Sequence, residues 1–404
     1  MKKIPALLSI AVLSAMVQLR AQDVSIQSAL NTVSIDSLVQ DIRLLSGELP
    51  VNVGGGDQLI LSRNKTNAGN HLAAQWLQQK LTQLGYAPTV QSFSSTGENI
   101  LATKTGLLHP GRKVVICGHY DAQPGGPVNA PAADDDGSGT CAVLEAARVL
   151  APYSFENTIV FALWDEEEQG LVGSHYYAGA EAASDDTIIA AINCDAIAYD
   201  GDGDGLMRIH TKNIANSIAI KDTALQVNSD YGLGLNIAIN NPGATYSDHA
   251  SFWTEGFGSI LIIEDFDNDG NPHYHTSTDL LQYMDQPFWA GLTRLGIGTT
   301  AVFAVPYSIG AEVAPVVAPR VQLYAYPNPF NNTARVWITT DASRNARLSL
   351  LDATGREVVG MFEGTLSAGE HAFDLDAGAL MPGAYYVRCI SADGVRTLRL
   401  VRVP

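Results

Sequence analysis

The stretch KVVICGHYD, residues 113–121, places His119 and Asp121 directly after an apolar run. The run has the length of one β-strand and does not alternate between apolar and polar positions. Strands of this composition are buried on both faces, as in a parallel sheet that helices cover. The stretch therefore predicts an α/β fold with polar residues at the carboxyl end of one strand.

Three similar apolar runs follow along the chain, and helical patterns separate them. The runs are NTIVFALW (157–164), TIIAAIN (187–193) and SILIIE (259–264). The helical patterns cover residues 68–84, 137–151 and 284–304. Alternating strands and helices predict a three-layer α/β sandwich with a mostly parallel central sheet.

The C-terminal part of the chain has a different composition. Residues 305–321, VPYSIGAEVAPVVAPRV, are rich in Pro and Ala and have no helical period, which is typical of a linker. Only strand-like runs separated by Gly-containing turns follow: RVWITT, ARLSLLD, HAFDLD, AYYVRCI and TLRLVRV. We therefore predict an α/β domain over residues 22–304, a linker over 305–321 and a small all-β sandwich over 322–404.

The N-terminus has the pattern of a secretory signal peptide. Lys2 and Lys3 precede the apolar run IPALLSIAVLSAMV, which is too short to span a bilayer, and the small residue Ala21 follows. We assign residues 1–21 to the signal peptide. No later run is long and apolar enough for a transmembrane helix, so we expect a bacterial protein that passes the periplasm and is secreted or held at the cell surface.

The four cysteines, Cys117, Cys141, Cys194 and Cys389, are widely spaced within apolar runs. This spacing is not that of a disulfide scaffold, so we expect buried free thiols. The alternative is one disulfide bridge between Cys117 and Cys141.

The negative charge of the protein is concentrated in the first part of the chain. Residues 1–319 carry 34 Asp and Glu against 15 Lys and Arg, whereas residues 320–404 carry 8 against 9. Such an acidic surface argues against nucleic acid and anionic membranes as partners.

Several of the acidic residues stand where predicted strands end. The clusters are His119 with Asp121, then Asp165 to Glu168, then Asp195, then His273 with His275, and Asp134 to Asp136 before the helix that starts at Gly137. Sites in open α/β sheets form outside the carboxyl ends of the strands, so these side chains are expected to converge. Unpaired carboxylates would repel one another there. Because histidine with carboxylates suits zinc, we predict a metal site.

Each cluster by itself has a simpler interpretation, such as a capped turn, an acidic helix start or a solvated loop. Their joint order is more specific. The motifs GHYD (118–121), AADDDGSG (132–139), DEEEQGLVGS (165–174), NCDAIAY (193–199), YSDHASF (246–252) and PHYHTSTD (272–279) resemble metallopeptidase family 28, the co-catalytic dizinc aminopeptidases. The resemblance covers roughly residues 35–303.

The resemblance implies two zinc ions with five protein ligands. His119 and Asp195 would hold one zinc, Glu168 and His275 the other, and Asp135 would bridge both. Two metals bridged in this way activate a shared water and polarise the scissile carbonyl.

The resemblance also implies the catalytic carboxylates. Glu167, directly before the ligand Glu168, takes the place of the general base, and Asp121 corresponds to the carboxylate that orients the ring of His119. Neighbouring residues of an extended chain point to opposite sides, so we expect Glu167 to face the substrate while Glu168 faces the metal.

Two histidines and two acidic turns need separate interpretations. His249 matches the family motif, but the ligand set is complete without it, so we expect a structural or pocket-lining role. His273 is the rival of His275, and the Thr that follows His275 favours the latter. The stretches DGDGDG (200–205) and DFDNDG (265–270) lack the Glu of a calcium loop, and we interpret them as acidic turns rather than as calcium sites.

The function expected from these motifs is a secreted dizinc aminopeptidase that removes N-terminal residues from peptides. Three alternatives remain beside it. A glutamate-carboxypeptidase-like enzyme would need basic residues to bind the acidic end of its substrate, and the motif stretches contain almost none. A glutaminyl-cyclase-like enzyme would need only one zinc. A non-enzymatic surface binding protein would have no need of Glu167.

The tail carries a second resemblance. YPNPFNNTARVWITT, LSLLDATGREV and AYYVR are similar to the C-terminal sorting domain of type IX secretion substrates, over about residues 322–404. The resemblance implies that the secretion machinery is a partner of this domain and that the domain carries no chemistry.

Overall fold

The computed structural model describes residues 24–307 and 321–403, apart from residues 127, 185, 341, 354, 377, 379, 392 and 393. The predicted signal peptide and most of the predicted linker lie outside the described residues. The chain divides into two compact units, Met1–Ser308 and Ile309–Pro404.

The first unit contains eight helices and ten strands among its described residues. The helices are α1 (Val24–Leu30), α2 (Ile35–Leu45), α3 (Ala68–Gln83), α4 (Gly137–Leu150), α5 (Val172–Ala182), α6 (Ser217–Asp230), α7 (His249–Thr254) and α8 (Gln286–Ala304). The strands are β1 (Val51–Asn52), β2 (Asp57–Gln58), β3 (Thr89–Ser92), β4 (Glu98–Lys104), β5 (His109–His119), β6 (Asn157–Trp164), β7 (Thr187–Cys194), β8 (Leu206–His210), β9 (Asn236–Asn240) and β10 (Ser259–Glu264).

Eight of these strands form one mixed sheet in the order β3-β4-β6-β5-β7-β10-β8-β9. The four middle strands are parallel, because β5 pairs with β6 and β7, and β7 pairs with β10. These four contain the apolar runs of the sequence. On either side the direction changes, since β4 is antiparallel to β6 and β8 is antiparallel to β10. All four parallel strands therefore end at the same edge of the sheet.

Both faces of the sheet are buried, which explains why its central strands do not alternate in polarity. Val114 and Ile116 of β5 belong to the large core that includes α4 and α8, whereas Val115 and Cys117 belong to the core on the other face. Helices α5 and α7 contribute Tyr177 and Phe252 to that second core. The predicted three-layer α/β sandwich is confirmed.

The second unit is entirely β-structure among its described residues. Its strands are β11 (Val321–Tyr326), β12 (Thr333–Thr340), β13 (Arg344–Asp352), β14 (Glu357–Leu366), β15 (Gly369–Asp376), β16 (Gly383–Ser391) and β17 (Gly394–Arg402). They form antiparallel sheets of three and four strands, in the orders β11-β12-β15 and β14-β13-β16-β17. Val336 and Ile338 of one sheet share a core with Leu348 and Leu350 of the other. The predicted all-β sandwich is confirmed.

All four cysteines are buried free thiols. The alternative bridge between Cys117 and Cys141 is wrong because the two residues lie on opposite faces of the sheet: Cys141 of α4 belongs to the large core and Cys117 to the other. Burial raises the pKa of the Cys117 and Cys141 thiols well above its ordinary value, which keeps them protonated.

No helix among the described residues is long and apolar enough to cross a membrane.

The backbone hydrogen bonds at the end of the first unit indicate where the chain can be truncated without loss of the fold. After α8, Val305 accepts a backbone hydrogen bond from Glu156, and Tyr307 donates one to Ser154. We expect a chain ending after Tyr307 to stay folded, because these bonds and the core of the unit are kept. A chain ending after Ala304 loses both bonds and should melt about 2–4 °C lower. Thermal unfolding followed by circular dichroism checks this, and unfolding of the longer chain at room temperature would contradict it.

Candidate metal centre

The carboxyl ends of the parallel strands bring the predicted site residues to one edge of the sheet. His119 is the last residue of β5, and Asp195 directly follows β7. Glu167 and Glu168 lie in a 3₁₀ turn, Glu167–Gln169, that follows β6. His275 lies in the loop after β10. The sequence prediction that these strand ends form one crevice therefore agrees with the geometry of the sheet.

The Asp triplet is held by the start of α4. Asp136 caps this helix and accepts a hydrogen bond from Gly139 N at 2.8 Å. The same carboxylate accepts hydrogen bonds from His119 N at 2.9 Å and Ala196 N at 3.2 Å, which connects the helix to the ends of β5 and β7. A Cβ atom at Gly139 would lie 2.1 Å from Cys194 O, so this close approach requires glycine.

Asp279 fixes the backbone of the same triplet from another loop. Its carboxylate accepts hydrogen bonds from Asp134 N and Asp135 N, each at 3.0 Å. Asp134 in turn accepts hydrogen bonds from Ala198 N and from Asn271 Nδ2, both at 2.9 Å. The position of Asp135 is thus fixed by hydrogen bonds to its own backbone N–H and to the backbone and side chain of Asp134.

Asp135 lies between the two predicted histidine ligands. Its Oδ1 is 3.4 Å from His119 Nε2, and its Oδ2 is 3.0 Å from His275 Nε2. His119 Nε2 also lies 3.6 Å from Asp195 Oδ1, and His275 Nε2 lies 3.0 Å from Glu168 Oε2. Each oxygen of Asp135 therefore faces one His–carboxylate pair, which is the arrangement that a bridging carboxylate requires.

Two groups of potential ligand atoms result. His119, Glu167 and Asp195 form one, and Asp135, Glu168 and His275 form the other, with the ligand atoms of each group within 4.8 Å of one another. All seven residues predicted for the site are brought together, with Asp121 beside His119 as the seventh.

Asp121 connects the imidazole to the turn that carries the glutamates. Its Oδ1 lies 3.3 Å from His119 Nδ1. The same carboxylate accepts hydrogen bonds from Glu167 N at 3.0 Å and Glu168 N at 3.2 Å. Asp121 therefore fixes the backbone of this turn through two hydrogen bonds while its carboxylate lies beside the His119 ring.

The separation of Glu167 from Glu168 has a different origin from the one expected. The sequence predicted an extended chain with alternating side chains, but these residues form a tight turn that Glu166 enters with a left-handed φ of 58°. The extended conformation was the wrong expectation, because consecutive amides converge on the Asp121 carboxylate. Their side chains still diverge: Glu167 Oε2 lies 3.8 Å from His119 Nε2, while Glu168 contacts His275.

Asp195 is held by two successive hydrogen bonds through Ser247, which we call the Ser247 relay and which the sequence did not predict. Ser247 Oγ donates to Asp195 Oδ2 at 2.5 Å and accepts from Asn193 Nδ2 at 2.6 Å. One oxygen of Asp195 is thereby occupied, and the other faces His119. The motif YSDHASF thus supports a ligand through Ser247 rather than through its histidine.

The remaining histidines take no part in the ligand groups. His249 is fully buried, its Nε2 lies 2.9 Å from Ala244 O, and its ring packs edge-on against Trp253. His273 stacks on Tyr283 with ring centroids 3.8 Å apart.

The acidic turns form a third, more exposed group. Asp200, Asp202 and Asp269 each have a potential ligand atom within 4.8 Å of the others, and Asp269 accepts hydrogen bonds from the backbone N–H groups of residues 201 and 202.

Among the described residues, no Lys or Arg forms an ion pair with the five carboxylates of the site, which belong to Asp121, Asp135, Glu167, Glu168 and Asp195. Burial, together with the neighbouring Asp135 carboxylate, raises the pKa of Glu168 to about 7. Burial lowers the pKa of His275, but the carboxylates of Asp135 and Glu168 outweigh it and raise that pKa to about 10. The same balance raises the pKa of His119 well above its usual value, with Glu167 as its strongest neighbour. Without metal, protons on the histidines are therefore the counter-charges.

The donor set fits zinc. Glu168 Oε1 is buried and has no hydrogen-bond partner among the described residues, so one lone-pair site is unused. Imidazole nitrogen and carboxylate oxygen are ligands that zinc accepts. Metal binding would displace the protons that the two histidines hold.

A cavity of about 600 Å³ opens beside the ligand groups. Its polar wall carries five carboxylates, from Asp135, Glu167, Glu168, Asp195 and Asp267. Its apolar and aromatic wall is formed by Leu171, Tyr246, Ile263, Phe266 and Tyr274. None of the described residues that line it is Lys or Arg. Asp267 pairs with Arg208 at 2.9 Å, and Asp135, Glu168 and Asp195 belong to or adjoin the groups of potential metal ligands. The cavity therefore suits a ligand that is apolar on one side and that needs no Lys or Arg to bind it.

Both parts of the chain match known sequence families. Residues 99–296 match the model of peptidase family M28, and residues 324–402 match that of a secretion system C-terminal sorting domain. A probable zinc metalloprotease of Pyrenophora teres f. teres (strain 0-1) is 25% identical over 293 residues, 58% of this chain and 61% of that protein. A probable leucine aminopeptidase of Trichophyton verrucosum (strain HKI 0517) is 31% identical over 197 residues, 46% and 52% of the two chains. The chain spans about half to three-fifths of the length of these relatives.

A solved structure shares the fold. The Legionella pneumophila LapA aminopeptidase matches with a TM-score of 0.59, covering 72% of this chain and 79% of its own, at 21% identity.

Proposed function

Because residues 99–296 belong to peptidase family M28, we propose that the protein is a secreted, zinc-dependent aminopeptidase that removes N-terminal residues from peptides. The observation that carries this proposal is the charge of the cavity. Its described lining residues include no Lys or Arg, so the cavity offers no cation to a C-terminal carboxylate, while a free N-terminal amine meets no like-charged Lys or Arg side chain there. A carboxypeptidase would instead need a cation for the terminal carboxylate.

The ligand groups divide between two metal positions in this proposal. His119 and Asp195 would hold one zinc, Glu168 and His275 the other, and Asp135 both. When bound, zinc polarises a carbonyl and lowers the pKa of a water molecule toward neutrality. The Ser247 relay and Asp121 would keep Asp195 and His119 in place for coordination.

Glu167 is the proposed general base. It lines the cavity, lies beside His119, and is fixed through its own backbone N–H by Asp121. Burial raises the pKa of Glu167 well above its ordinary value, and the nearby carboxylates of Asp248 and Asp195 raise it further. A base with a raised pKa can take a proton from the attacking water and release it to the leaving amine.

The apolar wall supports a preference for apolar N-terminal residues. Ile263, Phe266 and Leu171 offer contacts to an aliphatic or aromatic side chain. Phe266 packs edge-on against Tyr274, with ring centroids 5.1 Å apart, and Tyr274 stacks on His275. Apolar contact of this kind contributes to binding in proportion to the area buried.

The second unit supports export. Because residues 324–402 match a sorting domain, we propose that this unit engages the secretion machinery and takes no part in catalysis.

The test of this function combines metal counting with an aminoacyl chromogenic substrate. We expect two zinc ions per purified chain, hydrolysis of the leucyl substrate, loss of activity on chelation and recovery on adding zinc. An N-acetylated leucyl substrate is the control and should not react, since it has no ammonium group. One tightly bound metal with full activity would overturn the dinuclear site, and conversion of N-terminal glutamine to pyroglutamate without release of amino acids would indicate a cyclase.

A further inference from the structure

A second cavity, of about 370 Å³, adjoins the first one. Leu171 and Thr245 line both cavities. We propose that the second cavity binds a carboxylate of the peptide downstream of the cleaved bond, with Lys212 as the cation. This inference rests on the proposed aminopeptidase function and makes it narrower, since it names a substrate class: peptides with a negative charge a few residues after the N-terminus.

Lys212 is the only Lys or Arg among the described residues that line this cavity. It is half-buried, and no carboxylate of the described residues lies within ion-pair distance of its Nζ. By contrast, Lys65, Lys80 and Lys113 of the same unit each pair with a carboxylate at 3.0 Å or less. An unpaired cation at a cavity wall, in a protein of net charge −18, is available to an anionic ligand.

The position of Lys212 is set by an aromatic platform. Its Nζ lies 5.9 Å from the ring centroid of Trp253. The Trp253 indole is fixed, because its Nε1–H donates to Ser217 Oγ and Ser259 O, both at 3.1 Å. A cation over an aromatic face within about 6 Å is weakly attracted to it, by about 0.5–1 kcal/mol at exposed sites, and keeps its charge. The ammonium group is thus placed before any ligand arrives.

A second polar side chain lines the same cavity. His175 lines the cavity as well, and its Nδ1–H donates to Leu171 O at 2.8 Å, so Lys212 is the group that supplies hydrogen-bond donors to an anion. Ile214 and Ala250 supply apolar lining. An ammonium group within apolar walls is a chemical environment that suits a carboxylate.

Because Leu171 and Thr245 line both cavities, a peptide that starts in the first cavity can continue into the second. The N-terminal residue occupies the first cavity, where the carboxylates and the proposed base lie. The chain leaves past Leu171 and Thr245, and each further residue adds up to about 3.3–3.6 Å of reach. The carboxylate has two sources, the C-terminus of a short peptide or an acidic side chain in a longer one.

The experiment compares kcat/KM for Leu-Gly-Gly, its C-terminal amide, Leu-Gly-Glu-amide and Leu-Gly-Gln-amide. We expect the full-length zinc-loaded protein to prefer the charged member of at least one pair by about tenfold, the effect of one charged hydrogen bond. Lys212→Met should bring that ratio close to one, whereas Lys212→Arg should keep most of it. The acid–amide pair reports on a terminal carboxylate and the Glu–Gln pair on a side chain.

Lys221→Met is the matched control, because it removes one positive charge from the same unit at a residue that lines neither cavity. It should leave both ratios as in the parent protein. A ratio near one in the parent protein, or a ratio that Lys212→Met leaves unchanged, would overturn the inference while hydrolysis of the leucyl chromogenic substrate still supports the proposed function. If the parent protein hydrolyses none of the peptides and not the chromogenic substrate, the proposed function fails, and the subsite fails with it.

Discussion

Glu167→Gln is expected to lower turnover by about 10²–10⁴-fold while both zinc ions stay bound, since it keeps the shape of the side chain and removes the base. Glu168→Gln is the matched neighbour. It weakens a ligand whose Oε2 lies 3.0 Å from His275 Nε2, so metal content should fall together with activity. Elemental analysis and kcat for the leucyl substrate, measured on the same preparations, check both expectations.

The structure makes this comparison sharper than the sequence did. Glu167 lies within one group of potential ligand atoms and Glu168 within the other, so both could in principle hold a metal. If Glu167→Gln loses metal while Glu168→Gln keeps two ions, the roles are exchanged. If neither change slows turnover, the two carboxylates are not the catalytic pair.

Arg63→Met is expected to destabilise the first unit by about 3–5 kcal/mol, the largest effect we predict outside the catalytic residues. Arg63 is fully buried, and its guanidinium donates to four backbone carbonyls. They are Tyr120 O at 2.6 Å, Pro131 O at 2.7 Å, Ala132 O at 2.8 Å and Leu45 O at 3.1 Å. Removing the guanidinium takes a hydrogen bond from each of these four carbonyls, and only Ala132 O keeps a second one that the structure shows, from Gly137 N at 3.1 Å.

Arg63→Lys should recover only a minor part of the loss, because a single ammonium group cannot span four carbonyls. Arg43→Met is the control. The Arg43 side chain is 43% exposed and pairs with Glu48 at 3.1 Å, so its loss should change the free energy of unfolding by less than about 0.5–1 kcal/mol. Urea unfolding of the first unit, followed by tryptophan fluorescence, measures all three variants. Equal stability of Arg63→Met and Arg43→Met would contradict the assigned role.

Arg63 also shows why part of the site could not be predicted. Its hydrogen bonds join segments 57 and 69 positions apart, and they hold the residues that flank His119 and the Asp triplet. A lone Arg in a loop has no periodicity and no motif. Asp279 is similar, since its bonds to the triplet join residues 145 and 144 positions apart.

The outer strands of the central sheet could not be predicted either. Strands β3, β8 and β9 are short and partly exposed, so their sequences lack the uninterrupted apolar runs of the parallel strands. Their pairing depends on the neighbours that the fold supplies, because strand propensity is largely a measure of packing context.

The sequence by itself determined the class of the fold, the two families and the convergence of the site residues. It could do so because strands buried on both faces must be apolar throughout, and because the carboxyl ends of parallel strands meet at one edge. Both family resemblances, to peptidase family M28 and to the secretion sorting domain, are confirmed.

Only the tertiary structure decided how the site residues are held. The turn at Glu167 forms because the Asp121 carboxylate, at the end of another strand, accepts hydrogen bonds from the consecutive N–H groups of Glu167 and Glu168. Ser247, Asp279 and Arg63 act through hydrogen bonds to residues more than fifty positions away. Local sequence shows which side chains are apolar or charged, but it does not show which distant residues will form hydrogen bonds with one another. Those pairs depend on the complete fold, because a buried polar group needs a hydrogen-bond partner and the fold determines which groups lie within reach.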